Sequence, residues 1–145
     1  MAIYDALFEF CDDDSVFSTD TFVQSENIVD LQQADLEMGA GTPMWLNIRV
    51  GTTAFTGGTS AAFALVSDSD TTITNGTTII TTPAITVATL VAGYWILRVP
   101  LPVRYDPDRY IGLVVTCAGA VSAGSIDAWL DNGSQSSFNT QVAPS

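Results

Sequence analysis

The side chains of this chain that could do chemistry are carboxylates, arginines and two thiols. The sequence has sixteen Asp and Glu residues, four basic residues and no histidine. The basic residues are all arginines, namely Arg49, Arg98, Arg104 and Arg109. Without His or Lys the chain can form no Ser-His-Asp or Cys-His pair, no His-ligated zinc site and no Schiff base. An enzyme would then have to work through carboxylates, Tyr, Cys, Arg or a borrowed ion, and we expect a protein that is not an enzyme, with no catalytic residue and no cofactor.

The acidic residues form two short runs, at 12–14 and at Asp68 with Asp70. Calcium prefers several carboxylate and carbonyl oxygens, but neither run completes a calcium loop, because the required glycine and closing glutamate are missing. Asp106 and Asp127 could face each other as a glycosidase pair, yet no other polar catalytic group accompanies them. We expect solvated surface turns at both runs and no metal site.

Negative charge is concentrated at the N-terminal end of the chain. The formal net charge is −12, ten of the sixteen acids lie within residues 5–37, and no base precedes Arg49. Nucleic acids and anionic membranes attract proteins largely through Lys and Arg. The composition therefore predicts no nucleic acid and no membrane as partner, and favours a basic or neutral protein surface.

The length of 145 residues predicts one domain. Cys11 and Cys117 belong to no C-x-x-C motif, and residues 1–5 lack the basic and apolar regions of a secretory signal. We expect both cysteines to be reduced, buried side chains. Whether they pair is left open by the sequence.

Hydrophobic periodicity indicates an all-β fold. In residues 44–50, Met44, Leu46, Ile48 and Val50 alternate with other residues, as in a strand with one buried face. With turn residues such as Gly57-Gly58 between them, the short segments favour an antiparallel sandwich or barrel of about eight strands. A helix over residues 27–38 is a weaker alternative. The predicted strands are 3–10, 27–31, 44–50, 61–66, 77–81, 94–99, 109–117 and 126–130.

Residues 1–130 are expected to form the sandwich, with its acidic N-terminal segment, and residues 131–145 a polar C-terminal arm. Trp45 and Trp129 each lie on the face of their strand opposite the most apolar residues. We therefore expect both to be partly exposed and to contact a partner or another copy. Outward-facing arginines could pair with a partner's carboxylate. The predicted contact residues are Trp45, Trp129, Phe138, Arg49, Arg98, Pro100, Leu101, Pro102 and Arg104.

Several stretches resemble the capsid cement (decoration) proteins of short-tailed phages of the Bordetella phage type, in the same order along the chain. The resemblance extends over most of the chain, and its motifs are turns and strand ends. The stretches are VGTTAFTGGTS at 50–60, LRVPLP at 97–102, RYIGL at 109–113 and SAGSIDAWL at 122–130, with a similar opening at YDA (4–6) and FS (17–18).

The resemblance implies a jelly-roll β-sandwich that is made in the host cytoplasm and sits on the outer surface of an icosahedral virion capsid. It further implies a homo-oligomer, a dimer or trimer, that clamps neighbouring subunits of the major capsid protein. Two alternatives remain open. One is a calcium-assisted carbohydrate-binding module that uses Trp45, Trp129 and the Asp68/Asp70 turn, and the other is a tail or spike adhesin domain.

Overall fold

The computed structural model describes residues 6–15, 22–34, 43–73, 76–102 and 107–132. These residues form strands and two single-turn 3-10 helices, Ala6–Phe8 and Val87–Thr89. The strands are β1 Glu9–Ser15, β2 Phe22–Asp30, β3 Trp45–Val50, β4 Thr56–Gly57, β5 Ser60–Asp68, β6 Thr77–Thr81, β7 Ile85–Thr86, β8 Trp95–Pro100, β9 Tyr110–Ala118, β10 Val121–Ala123 and β11 Ser125–Asp131.

Two antiparallel sheets make up the fold. Sheet I has the order β1-β11-β3-β8, and sheet II has the order β2-β9-β5-β6, with β7 pairing to β5 beside β6. Strands β4 and β10 form a separate two-stranded ribbon. Because β1 and β2 pack against each other, β8 and β6 are the edge strands at the opposite flank. The prediction of an all-β antiparallel sandwich is confirmed.

The core lies between the two sheets and follows the alternation of the strands. Leu46 and Ile48 of β3 are fully buried against Phe63 and Leu65 of β5 in one hydrophobic cluster. Phe55 packs edge-on against Phe63, with ring centroids 6.1 Å apart. Burial of each such side chain stabilises the fold by roughly 1.5–3 kcal/mol. The apolar face predicted for residues 44–50 is therefore the core face.

One expectation from the sequence is wrong at the N-terminal end. The acidic run 12–14 is not a turn but part of edge strand β1, which continues to Ser15. Register shifts between Glu9 and Asp14 show that β1 is irregular there, and Asp13 has a φ of 55°. Three aspartates therefore fit into a strand because irregular pairing accommodates them. The strand predicted over residues 27–31 is confirmed, because residues 27–30 belong to strand β2 and not to the alternative helix.

Both cysteines are buried and are not joined in a disulfide. Cys11 lies in β1 of sheet I and Cys117 in β9 of sheet II. Burial, together with the nearby Asp14, raises the pKa of the Cys11 thiol far above its ordinary value. This thiol is therefore a packing group rather than a nucleophile.

Candidate functional site

The outer face of sheet I collects most of the described residues that the sequence singled out. Strand pairing places Trp45 opposite Pro100, and Arg49 opposite both Trp95 and Asp127. Because Leu46, Ile48 and Val50 fill the core, the alternating side chains of β3 project to the other face. We call this surface the outer tryptophan face, and its members are Trp45, Arg49, Trp95, Arg98, Asp127 and Trp129.

Aromatic and guanidinium groups stack on this face. The Trp95 and Trp129 rings meet edge to face, with centroids 5.9 Å apart. The Arg98 guanidinium lies 4.6 Å from the Trp95 ring centroid, and that of Arg49 lies 6.0 Å away. Both distances are within the range of cation–π attraction. Trp95 is thus the centre of the cluster.

The expectation that Trp129 is partly exposed is wrong, because its side chain is fully buried. Alternation does place it on the outer face, but the Trp95 ring covers it there and β1 and β3 flank it. Leu101 is buried as well. Its N–H donates to the Met44 carbonyl oxygen at 2.7 Å, which ties this strand end to β3.

The two outward arginines differ in their partners. Arg49 forms an ion pair with Asp127, and its Nε donates to Asp127 Oδ2 at 3.1 Å. Arg98 is exposed, and it belongs to neither of the two ion pairs among the described residues, which are Arg49–Asp127 and Arg109–Asp30. Its guanidinium, stacked on Trp95, can therefore receive a carboxylate from another molecule.

Trp45 and Pro102 are half-buried, and Pro100 is exposed. Arg104 and Phe138 lie outside the described residues, as do residues 133–145 of the predicted arm. Near the same end of sheet I, a shallow pocket of about 210 Å³ is lined by Phe8, Met44, Leu130, Asp131 and Asn132. Among the described residues of the predicted contact set, Trp129 and Leu101 are buried, and the others are at least partly exposed.

The contact set predicted from the sequence does not contain Trp95. Arg98 faces outward, so strict alternation would turn residue 95 toward the core. A register shift in the β3–β8 pairing moves Trp95 opposite Arg49 instead. A β-bulge of this kind re-aims side chains, and no residue type in 95–100 marks it.

A second polar cluster joins β1 to the centre of sheet I. Asp13 Oδ1 accepts the Thr52 N–H at 2.7 Å and the Ser125 hydroxyl at 2.5 Å, and Oδ2 accepts the Thr52 hydroxyl at 2.5 Å. The hydrogen bonds from Ser125 and Thr52 lower the pKa of Asp13. The Asp13 N–H donates to Asp127 Oδ1 at 2.8 Å. This set, Asp13, Thr52, Ser125 and Asp127, is the Asp13 cluster.

The Asp68/Asp70 turn is held by its own backbone. Asp68 Oδ1 accepts the Asp70 N–H at 3.2 Å, and Asp70 Oδ1 accepts the Thr72 N–H at 3.1 Å. Among the described residues, no group of three or more His, Cys, Asp or Glu side chains could hold a metal ion. Within the same residues, no helix is long and apolar enough to cross a membrane.

The fold and this face define a β-sandwich whose outer sheet surface presents stacked tryptophan and arginine side chains. Comparison with known protein families matches residues 12–130, which is most of the chain, to Bbp16. The chain therefore belongs to the Bbp16 family, a bacteriophage-related family. Comparison with curated proteins gives no match.

Proposed function

We propose that this protein is a structural phage cement protein, which binds the outer surface of the icosahedral head and clamps neighbouring major capsid protein subunits. The observation that carries the proposal is Arg98, an exposed guanidinium stacked on Trp95 in a chain of the Bbp16 family. Stacked aromatic and arginine side chains are the groups most enriched at protein-binding hot spots. The outer tryptophan face is accordingly the proposed head-binding surface.

The order of strands supports the jelly-roll topology within this proposal. Apart from the two-residue strand β7, which also pairs with β5, the two sheets contain four strands each, in the orders β1-β11-β3-β8 and β2-β9-β5-β6. Chain-neighbouring strands mostly lie in different sheets, so that nearly every connection crosses from one sheet to the other. Such cross-connected double sheets are typical of jelly rolls. A rigid sandwich of this kind suits a clamp, because it transmits load between the surfaces it holds.

The carbohydrate-binding alternative has less support. Sugar rings stack on solvent-facing aromatic rings, but Trp129 is fully buried. The carboxylates of the Asp68/Asp70 turn already accept backbone N–H groups. No observation favours the adhesin alternative over the cement proposal.

The test is a binding assay with purified protein and mature heads that lack it. We expect saturable binding and heads that withstand a higher temperature when decorated. Replacement of one charge-assisted contact, in Arg98→Ala, should weaken binding about tenfold or more. Arg109→Ala is the matched control, since Arg109 is an exposed arginine held by Asp30 and directly precedes strand β9 of sheet II. If the heads bind no protein, or gain no heat resistance from it, the proposed function is wrong.

A further inference from the structure

Most of the residues on one flank of the sandwich belong to a stretch of the chain without charged side chains. None of residues 71–97 is Asp, Glu, Lys or Arg, although the chain as a whole has a net charge of −12. The described residues 76–97 of this stretch include β6, β7, the turn Val87–Thr89 and the start of β8. We call residues 76–97 the uncharged flank. Its position is the side of the sandwich opposite β1 and β2.

The edge of sheet II lies in this flank and is rich in residues that favour strands. Strand β6 has the sequence TTIIT, with Thr77, Thr78 and Thr81 exposed. It pairs with β5 on one side, and none of the described strands pairs with it on the other. Alternate backbone N–H and C=O groups of an edge strand point away from its sheet. They are available for pairing with another strand.

The other three edges are protected by the means that proteins usually employ. Strand β1 contains four acids, β2 contains Glu26 and Asp30, and β8 contains Arg98 and ends at Pro100. Charges and prolines at edges prevent unwanted strand pairing. The β6 edge has a register shift in its pairing to β5 and a proline at position 83, beyond its end, but no charge.

Partly buried aliphatic side chains accompany this edge. Ile79 and Ile80 of β6, Ile85 and Val87 beside β7, and Ile96 and Leu97 of β8 pack on the core without being fully covered. Val91 and Tyr94, between β7 and β8, are also exposed, and they lie near the end of β3, since the Tyr94 carbonyl oxygen accepts the Val50 N–H at 2.8 Å. An apolar flank of this kind marks a contact surface.

We propose that this edge is where a second copy of the chain docks, with β6 pairing antiparallel to β6 of the other copy about a two-fold axis. Two chains that each carry −12 repel each other wherever their acidic surfaces meet. The uncharged flank adds no charge of its own to such a contact, and the acids that precede it in the chain are Asp68 and Asp70. An antiparallel edge is also self-complementary, as a two-fold contact requires. Pairing would join the two copies of sheet II into one continuous sheet.

This inference rests on the proposed function only in that it names the surface of the expected oligomer. The first test is the mass of the purified chain by light scattering. We expect twice the chain mass of 15.3 kDa, and we expect Thr78→Lys with Thr81→Lys to return the mass of a single chain. Thr116→Lys is the matched control, because Thr116 is also an exposed threonine of sheet II but lies on the central strand β9.

Cross-linking tests the pairing itself. Single Cys replacements at Thr77, Thr78 and Thr81 are oxidised alone and in pairwise mixtures, with Thr116→Cys as control. The native cysteines are buried and should not react. We expect disulfide-linked dimers from β6 positions only, since a disulfide needs Cα atoms within about 7 Å. In an antiparallel pair the linked residue numbers have a constant sum, so the mixtures also give the register.

Each outcome decides the proposal. A single-chain mass at all concentrations, a dimer that survives both lysines, or equal cross-linking at position 116 would overturn it. If the chain is monomeric but the lysines abolish head binding, the edge receives a capsid segment and not a second copy. If the monomeric lysine variant still binds heads, the cement function does not depend on this dimer. If the wild-type chain dimerises through β6 but no form binds heads, the cement function fails while the dimer stands.

Discussion

The two flanks of the sandwich differ in charge. At the flank formed by β1 and β2, the edge strands carry acidic residues, and polar contacts hold these side chains in place. At the flank formed by β6 and β8, residues 76–97 carry no charge. In the first region Asp13 accepts three hydrogen bonds from Thr52 and Ser125, and the Asp30 carboxylate accepts hydrogen bonds from both Nε and Nη2 of Arg109. In the second, threonine and isoleucine form the edge. The difference indicates that one flank is closed within the chain and the other is suited to contact another molecule.

The largest expected effect is at Gly51, which leaves room for the Asp13 carboxylate. A Cβ at this position would lie 2.2 Å from Asp13 Oδ1 and 2.7 Å from Ser125 Oγ. We expect Gly51→Ala to lower the free energy of unfolding by about 3 kcal/mol, through overpacking and loss of hydrogen bonds to Asp13. Urea unfolding measures it.

The control for this prediction is the same change in an Asp13→Ala background. There the carboxylate is gone, so Gly51→Ala should cost clearly less. An equal cost in both backgrounds would show that the Asp13 cluster does not close this flank.

How much of this difference between the flanks can be predicted from the sequence depends on whether the contacts are local or join distant parts of the chain. The all-β sandwich follows from alternation, as in residues 44–50, because strand period is a local property. The Asp13 cluster is not predictable in this way, since Asp13 meets Ser125 only after β1 pairs with β11. The same holds for the outer tryptophan face. Trp129 has the correct orientation but is buried by Trp95, whose side of the strand is set by a register shift.

The absence of charge in residues 71–97, by contrast, is readable from the sequence alone. What the sequence does not reveal is that residues 77–81 of this stretch form the outer strand of sheet II. That position follows from the pairing of β6 and β7 with β5, which leaves β6 at the end of the sheet. The lack of charge indicates a contact surface only once the structure shows that β6 is an edge strand.

Acidic pH should first weaken the contacts at the flank formed by β1 and β2. The pKa of Asp13 is lowered by Ser125 and Thr52, and that of Asp30 to about 2 by Arg109 and the Gln32 N–H. Groups with a lowered folded pKa stabilise above their unfolded pKa, and this contribution is lost as pH falls through the folded value. We expect the unfolding free energy to fall as pH drops below about 4.

Asp13→Asn tests which group is responsible. This variant should lose less stability between neutral and acid pH than the wild-type chain. The pKa of Asp14 is raised, by burial and by Glu26, and its opposite contribution is present in both proteins, so it cancels in the difference. Identical pH profiles would remove Asp13 from the explanation.

Added salt should strengthen the proposed dimer contact at the uncharged flank, whereas acid should weaken the flank formed by β1 and β2. Between about 10 mM and 150 mM NaCl the Debye length falls from about 30 Å to about 8 Å. Screening reduces the repulsion between two chains of charge −12, while the strand pairing itself involves no ion pair. We expect the dimer to become several-fold tighter, as measured by analytical ultracentrifugation. A dimer that weakens with salt would depend on ion pairs and so would not use this flank.

The smallest expected effect is on the folding of the single chain when lysine is placed on the β6 edge. Thr78 and Thr81 are exposed, and substitutions at exposed positions usually change stability by less than about 0.5 kcal/mol. Thr78→Lys should therefore unfold in urea like Thr116→Lys when both are monomeric, even though only the former prevents dimers. If instead Thr78→Lys destabilises the monomer strongly, the β6 edge contributes to the stability of the single chain. The contrast between the flank formed by β1 and β2 and the uncharged flank then does not hold.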